Sequence, residues 1–153
     1  DRYLDDYKTV NVRHILLKSD TTNDAEIKTK AEALLQKWKD GEATEDSFAK
    51  LATENTEDTG SAANGGLYEN IYKGQMDTAF NDWCFNTAHK AGDTGIVKTS
   101  YGYHLMYFSG EGEVYWKSNA ESSLKTKDYS DYVDGLLKKA TVKTQYYAVD
   151  IAI

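Results

Sequence analysis

Proline is missing altogether from this chain of 153 residues, where ordinary usage near 5% would supply roughly eight. The turns must then be made by the eleven glycines and by Asn, Asp, Ser and Thr, and no backbone N–H is lost to a pyrrolidine ring. Cysteine is nearly missing too. With Cys84 alone, no intramolecular disulfide forms, and the cysteine count leaves the redox compartment open. Its setting, FNDWCFN, reads as a small buried hydrophobe inside a helix rather than a reactive thiol. No run of 18 apolar residues exists, so no segment reads as a membrane-spanning helix. Basic residues are also in deficit: 18 Lys and Arg face 25 Asp and Glu, for a net charge of −7. Non-specific nucleic-acid binding needs clustered Lys and Arg to displace phosphate counterions, and here they are few and scattered. The chain starts at Asp1 with neither a Met nor a signal-like stretch, as expected of a processed product or a trimmed chain.

What is present suits one globular domain with a real core; a second full-sized domain does not fit in this length. Residues 9–17, TVNVRHILL, alternate and then become continuously apolar, which predicts a strand buried on at least one face. After Asp24, the residues Ile27, Ala31, Leu34, Leu35 and Trp38 fall on one helical stripe that Gly41 stops. Thr44, Glu45 and Ser47 open a shorter helix with Phe48, Leu51 and Ala52 on one face, ending near Asn55. Residues 56–66, TEDTGSAANGG, are turn chemistry throughout. Then come a short strand at 67–72, a turn KGQM at 73–76, and a helix over 78–87 that buries Phe80, Trp83 and Cys84. Residues 96–98 and 103–108 bracket turn residues and predict a β-hairpin. This order gives a small α/β or α+β sheet packed by helices, not a sandwich. Beyond Gly112, residues 116–139 read as a helix with Tyr129, Tyr132, Val133, Leu136 and Leu137 on one stripe, and TVKTQYYAVDIAI as an extended tail. No internal repeat appears.

Several of these segments together match a family. VRHILL (12–17), FAKLA (48–52), TEDTGSAANGG (56–66), KGQM (73–76), Phe80 with the following WCF, and YGYHLMYF (101–108) resemble, in order and register, a parvulin-type peptidyl-prolyl isomerase over residues 9–112. The resemblance implies an α+β fold with a four-stranded antiparallel sheet surrounded by helices, to which residues 113–153 add a C-terminal helical extension. It implies catalysed rotation about X-Pro bonds, whose barrier near ~20 kcal/mol makes the uncatalysed step slow. No proton is removed and no covalent bond is broken; the twisted amide, with its C–N resonance lost, is what must be stabilised.

By the same resemblance His14 and His104 are the paired central histidines and Asp58 the acidic residue facing the prolyl peptide. Met76 and Phe80 form the proline pocket, Tyr101 borders it and Tyr68 supplies its remaining wall. Read without the family, the two histidines are satisfied core residues, Asp58 is a turn cap, and Met76 with Phe80 is ordinary core. Thr59 would take the place of Asp58 if the loop shifted by one residue. The chain departs from the pattern in two places: GGLYEN stands where the double glycine is usually followed by an acidic residue, Leu and Gly, and Thr78 and Ala79 stand where Pro is common.

No cofactor is expected. His89, in TAHKAGD, reads as a surface residue, and with His14 and His104 paired no metal-ligand spacing remains. GSAANGG lacks the context and the Lys of a phosphate loop, so nucleotide binding is dismissed. The loop KSDTTNDAE is acidic where phosphate-directed members need a basic cluster, so the expected partners are unphosphorylated, proline-containing or unfolded polypeptides. Residues 1–8 and 113–153 resemble the halves of a chaperone module that flanks the isomerase in exported bacterial foldases of the PrsA and SurA type. That places the expected site of action outside the cytoplasmic membrane, with any membrane attachment through a separate anchor. The rival reading is a binding module, a chaperone whose degenerate parvulin domain only holds clients.

Overall fold

The structure is a computed structural model that describes residues 8–139; the predicted extended tail at 141–153 and the stub before Lys8 lie outside the described residues. Its centre is a four-stranded antiparallel sheet in the order β2-β1-β4-β3. The two inner strands, β1 (Thr9–Lys18) and β4 (Gly102–Glu111), are ten residues each and buried on both faces over most of their length, as their continuous apolar runs require. The outer strands, β2 (Leu67–Tyr72) and β3 (Thr94–Thr99), are six residues each and only partly buried, which keeps the exposed edges short.

Side chains alternate between the two faces of the sheet. On one face Ile15 and Leu17 of β1 join Tyr103, Leu105 and Tyr107 of β4 beneath two helices. These are α1 (Asp24–Lys39), which contributes Ala31, Leu35 and Trp38, and α2 (Glu45–Asn55), which contributes Phe48 and Ala52. A reciprocal capping box fixes the start of α2: the Thr44 side chain accepts from the Ser47 amide and the Ser47 side chain accepts from the Thr44 amide. On the other face Val10, Val12, Met106 and Phe108 pack with Phe80 and Cys84 of the short helix α3 (Thr78–Cys84).

The expected helix over 78–87 therefore ends three residues early. Asn86 turns its side chain back to accept from the Ala88 amide, a local bond that competes with continuing the helix. Trp83 is only partly buried. His89 is not the surface residue its sequence setting implied: its side chain is 17% exposed, and its ring lies 4.4 Å from Trp83. The TAHKAGD segment folds back over Trp83 and Phe108 because those aromatics leave a flank to cover.

Two glycines decide how the strands approach the future site. Gly66 has φ +71°, and a Cβ there would lie 2.2 Å from the His14 carbonyl oxygen, so only glycine lets β2 begin against β1. The His14 amide donates to the Gly66 carbonyl at 2.8 Å across that contact. Gly102 has φ +141°, and a Cβ would lie 2.2 Å from the Leu17 carbonyl oxygen at the β3–β4 hairpin. After β4 the chain stays tied down: the Gly112 amide donates to Thr9, the Thr9 hydroxyl to the Glu113 carbonyl, and the Glu113 amide to Asn70. From Lys8 through Ser118 the chain forms one compact unit. A second unit takes over from Asn119 along the final helix, α4 (Tyr115–Lys139). Among the described residues no helix is long and apolar enough to cross a membrane.

Candidate active site

His14 and His104 come from the two central strands and point to the same face. In the β1–β4 register Leu16 pairs with His104, so His14 is the diagonal neighbour of His104 two residues along. Their rings stack at 5.4 Å between centroids, and the two Nδ1 atoms are 3.2 Å apart. His14 Nε2 lies 3.0 Å from Asp58 Oδ2 and 3.2 Å from the hydroxyl of Ser61. At the other end the Thr99 hydroxyl lies 2.9 Å from His104 Nε2, and the Tyr101 amide donates to Thr99 at 3.2 Å.

Asp58 fixes the direction of this chain. Burial pushes its carboxyl upward. Hydrogen bonds from the Ser61 and Tyr68 hydroxyls and the Gly60 amide, together with the adjacent His14, outweigh that and hold it at about 2. The carboxylate is thus an acceptor only, and His14 Nε2 carries the proton that faces it. Burial lowers the pKa of His14, and burial followed by the neighbouring His14 pushes His104 down to about 4, so both rings are neutral near pH 7. His14 Nδ1 then accepts from His104 Nδ1–H, and His104 Nε2 accepts from the Thr99 hydroxyl. The result is a single-direction relay of donors, Thr99 to His104 to His14 to Asp58, in which each tautomer is set by its neighbour.

Above the histidines opens a cavity of about 230 Å³. Leu16, Met76 and Phe80 give it apolar walls, and the Phe80 ring meets both imidazoles edge-to-face at 5.6 and 5.3 Å. Tyr101, 65% exposed, stands at the rim, and Tyr68 closes the side next to Asp58. All seven residues singled out from the sequence, His14, Asp58, Tyr68, Met76, Phe80, Tyr101 and His104, line this one cavity. Thr59, the alternative to Asp58, does not line it and is exposed.

Sequence reasoning missed Ser61, Thr99, Leu16 and Asp77. Asp77 caps α3 through its bond to the Ala79 amide and adds a second carboxylate to the cavity, which has no Lys or Arg in its lining. Thr99 had a usable signal: a two-residue hairpin turn pairs Val97 with His104 and puts Thr99 on the same face. Ser61, completely buried, sits in a run of turn residues where nothing distinguishes it. Cys84 is buried at the base of α3 and its thiol is pushed up to about 12 by burial, which keeps it unreactive. Among the described residues no group of three or more His, Cys, Asp or Glu is placed to hold a metal ion.

The comparison with known proteins agrees with this geometry. The family described as the PPIC-type PPIASE domain matches residues 3–110, more than two thirds of the chain. The chain belongs to the PPIC-type peptidyl-prolyl isomerase family, the parvulins. Among curated relatives, Foldase protein PrsA 1 of Listeria innocua is 34% identical over 142 residues, covering 87% of this chain and 44% of the relative. The chain spans less than half the length of the PrsA 1 foldases of Listeria that it matches. Among solved structures, PrsA from Bacillus subtilis superposes with a TM-score of 0.61 at 29% identity, covering 95% of this chain and 55% of that one. A Campylobacter jejuni structure, from work on the SurA-like chaperones PEB4 and periplasmic Cj1289, gives a TM-score of 0.51 at 26% identity, covering 95% and 60%. The four-stranded antiparallel sheet with helices around it matches these parvulin-like structures, and in this chain a C-terminal helix follows it.

Proposed function

We propose that this domain catalyses cis/trans rotation about X-Pro bonds in unphosphorylated, unfolded or extended polypeptides, in a foldase role outside the cytoplasmic membrane. The observation that carries the reading is the Thr99–His104–His14–Asp58 relay lying directly under an apolar cavity. Met76 and Phe80 grip the prolyl ring, a thioether and an aromatic face suited to a pyrrolidine. The planar amide is stabilised by charge drawn onto its oxygen, and a carboxylate at Asp58 opposes that charge separation, so the planar ground state loses more than the twisted state. The neutral histidines keep the site polar without adding a cation that would favour the planar form.

Two carboxylates and no Lys or Arg around the cavity speak against a phosphorylated partner. At the start of α1, Asp24 accepts from Lys98 and from the Tyr103 hydroxyl, which ties that cation to a carboxylate. Polypeptide clients and an extracytoplasmic site of action draw support from the names of relatives, a foldase in Listeria innocua and periplasmic Cj1289 in Campylobacter jejuni.

The deciding experiment is a protease-coupled prolyl-peptide assay on the wild type and a His14→Ala/His104→Ala double variant, with folding of both checked by circular dichroism. Acceleration by the wild type and its loss in the variant support the reading; equal rates end it. The client-holding alternative is favoured by one observation, the exposed Leu124, Tyr129, Tyr132, Leu136 and Leu137 on α4. A client-aggregation assay on the chain cut after Gly112 tests it: protection lost with the cut assigns holding to the segment that follows.

A further inference from the structure

Tyr68 does something that a cavity wall need not do. It starts from β2, yet its hydroxyl donates to Asp58 Oδ2 at 2.8 Å, and its ring lies parallel to His14, 4.8 Å between centroids with 18° between planes. Asp58 sits on the turn after α2 and His14 on β1, so one side chain joins three separate segments at the acceptor end of the relay. Asp58 Oδ2 takes three donors, His14 Nε2–H, the Ser61 hydroxyl and the Tyr68 hydroxyl, while Oδ1 takes the Gly60 amide. Ser61 and Gly60 lie on the same turn as Asp58 and move with it. Tyr68 alone of these hydroxyl and amide donors anchors the carboxylate to the sheet.

We propose that Tyr68 is a positioning residue for the isomerisation: its hydroxyl fixes the Asp58 carboxylate and its stacked ring fixes the His14 imidazole, so that carboxylate and relay hold one geometry against the substrate. The proposal rests on the isomerase reading above. Its chemistry is consistent over the working range, because burial and the adjacent Asp58 push the Tyr68 phenol up to about 12 and it stays a donor. Without the hydroxyl, Oδ2 loses its one tie to β2, the carboxylate can rotate on its own turn, and His14 Nε2–H loses a fixed acceptor. Without the ring, one face of His14 loses the plane that limits its rotation.

The test uses Tyr68→Phe, which keeps the ring, together with Asp58→Asn and the double variant, all on the full chain. Tyr68→Phe is expected to lower kcat about 10-fold with KM within about 2-fold, because the lost bond orients the site rather than binding the ring of proline. In the Asp58→Asn background the same substitution is expected to add little, the signature of two residues acting as one unit. Nitrogen-15 spectra of the His14 ring are expected to shift from one Nε2–H tautomer toward a mixture in Tyr68→Phe. A variant with wild-type kcat and an unchanged tautomer overturns the proposal and leaves Tyr68 as wall only. A full kcat loss that persists with Asn at 58 also overturns it, since Tyr68 would then act independently of Asp58. A wild type that does not accelerate isomerisation ends the isomerase reading itself, a result distinct from either.

Discussion

The two faces of the sheet are built from the same two central strands, and only one of them leaves room for a polar site. The face under α1 and α2 is closed hydrocarbon and aromatic packing, with Phe48 and Leu105 fully buried and Trp38 edge-on to both Phe48 and Tyr107. The face under α3 has an apolar cluster of its own, Val10, Val12, Met106 and Phe108 against Phe80 and Cys84, and beside it two buried imidazoles and an open cavity. Buried polar groups stabilise only when satisfied, and here both ring nitrogens of His14 and of His104 have partners. The difference teaches a division of labour: one face supplies the stability that lets the other hold a polar, partly empty site.

The largest effect is expected from the packed face. Phe48→Ala should cost about 3–5 kcal/mol of stability by leaving a cavity beneath α2, with the isomerisation rate per folded molecule unchanged. Denaturant unfolding alongside a rate measurement checks it, and a site that failed together with the packing would break the comparison. Next come the histidines: His14→Ala and His104→Ala should each lower kcat/KM by about 100-fold, ~2.7 kcal/mol, and the double variant should be little worse than either. Additive losses would mean that the two rings act separately.

A third test is pH. The folded pKa of His104, about 4, lies below its ordinary 6.5, so the unfolded chain takes up a proton first. Stability from this group is therefore full above about 6.5 and is lost as pH falls from there to about 4. Asp58, at about 2 against an ordinary 3.8, adds a loss of the same sign between those values. Chemical denaturation from pH 8 to pH 3 reads this, and the slope between 6.5 and 4 should shrink in His104→Ala. The smallest effect is expected at the rim, where Tyr101→Ala should raise KM about 2-fold and leave kcat alone, since an exposed ring touches substrate without ordering the relay.

The packed face was the more legible of the two in sequence. Ile27, Ala31, Leu34, Leu35 and Trp38 announce a helix by their period, and Thr44 with Ser47 announces the start of the next. The site was legible only in part. His14 and His104 sit inside strong strand patterns, so their shared face follows from strand pairing, and Thr99 follows from the same hairpin once its turn is counted. Ser61 does not follow, because its role comes from how an irregular turn closes on His14, and such turns have no period to read. His89 was misread for a related reason: loop residues look solvated in sequence, and only the uncovered flanks of Trp83 and Phe108 draw this one inward. The helix α3 stops at Cys84 because the Asn86 side chain outcompetes a helical bond, a local contest that an apolar stripe does not report.

The ties among Thr9, Asn70, Gly112 and Glu113 have an architectural consequence. The point where the chain joins the sheet and the point where it leaves are fastened to one another, side by side at one end of the two central strands. A module built this way can be spliced into a surface loop of a host with its two seams nearly touching, and the host need bridge almost no gap.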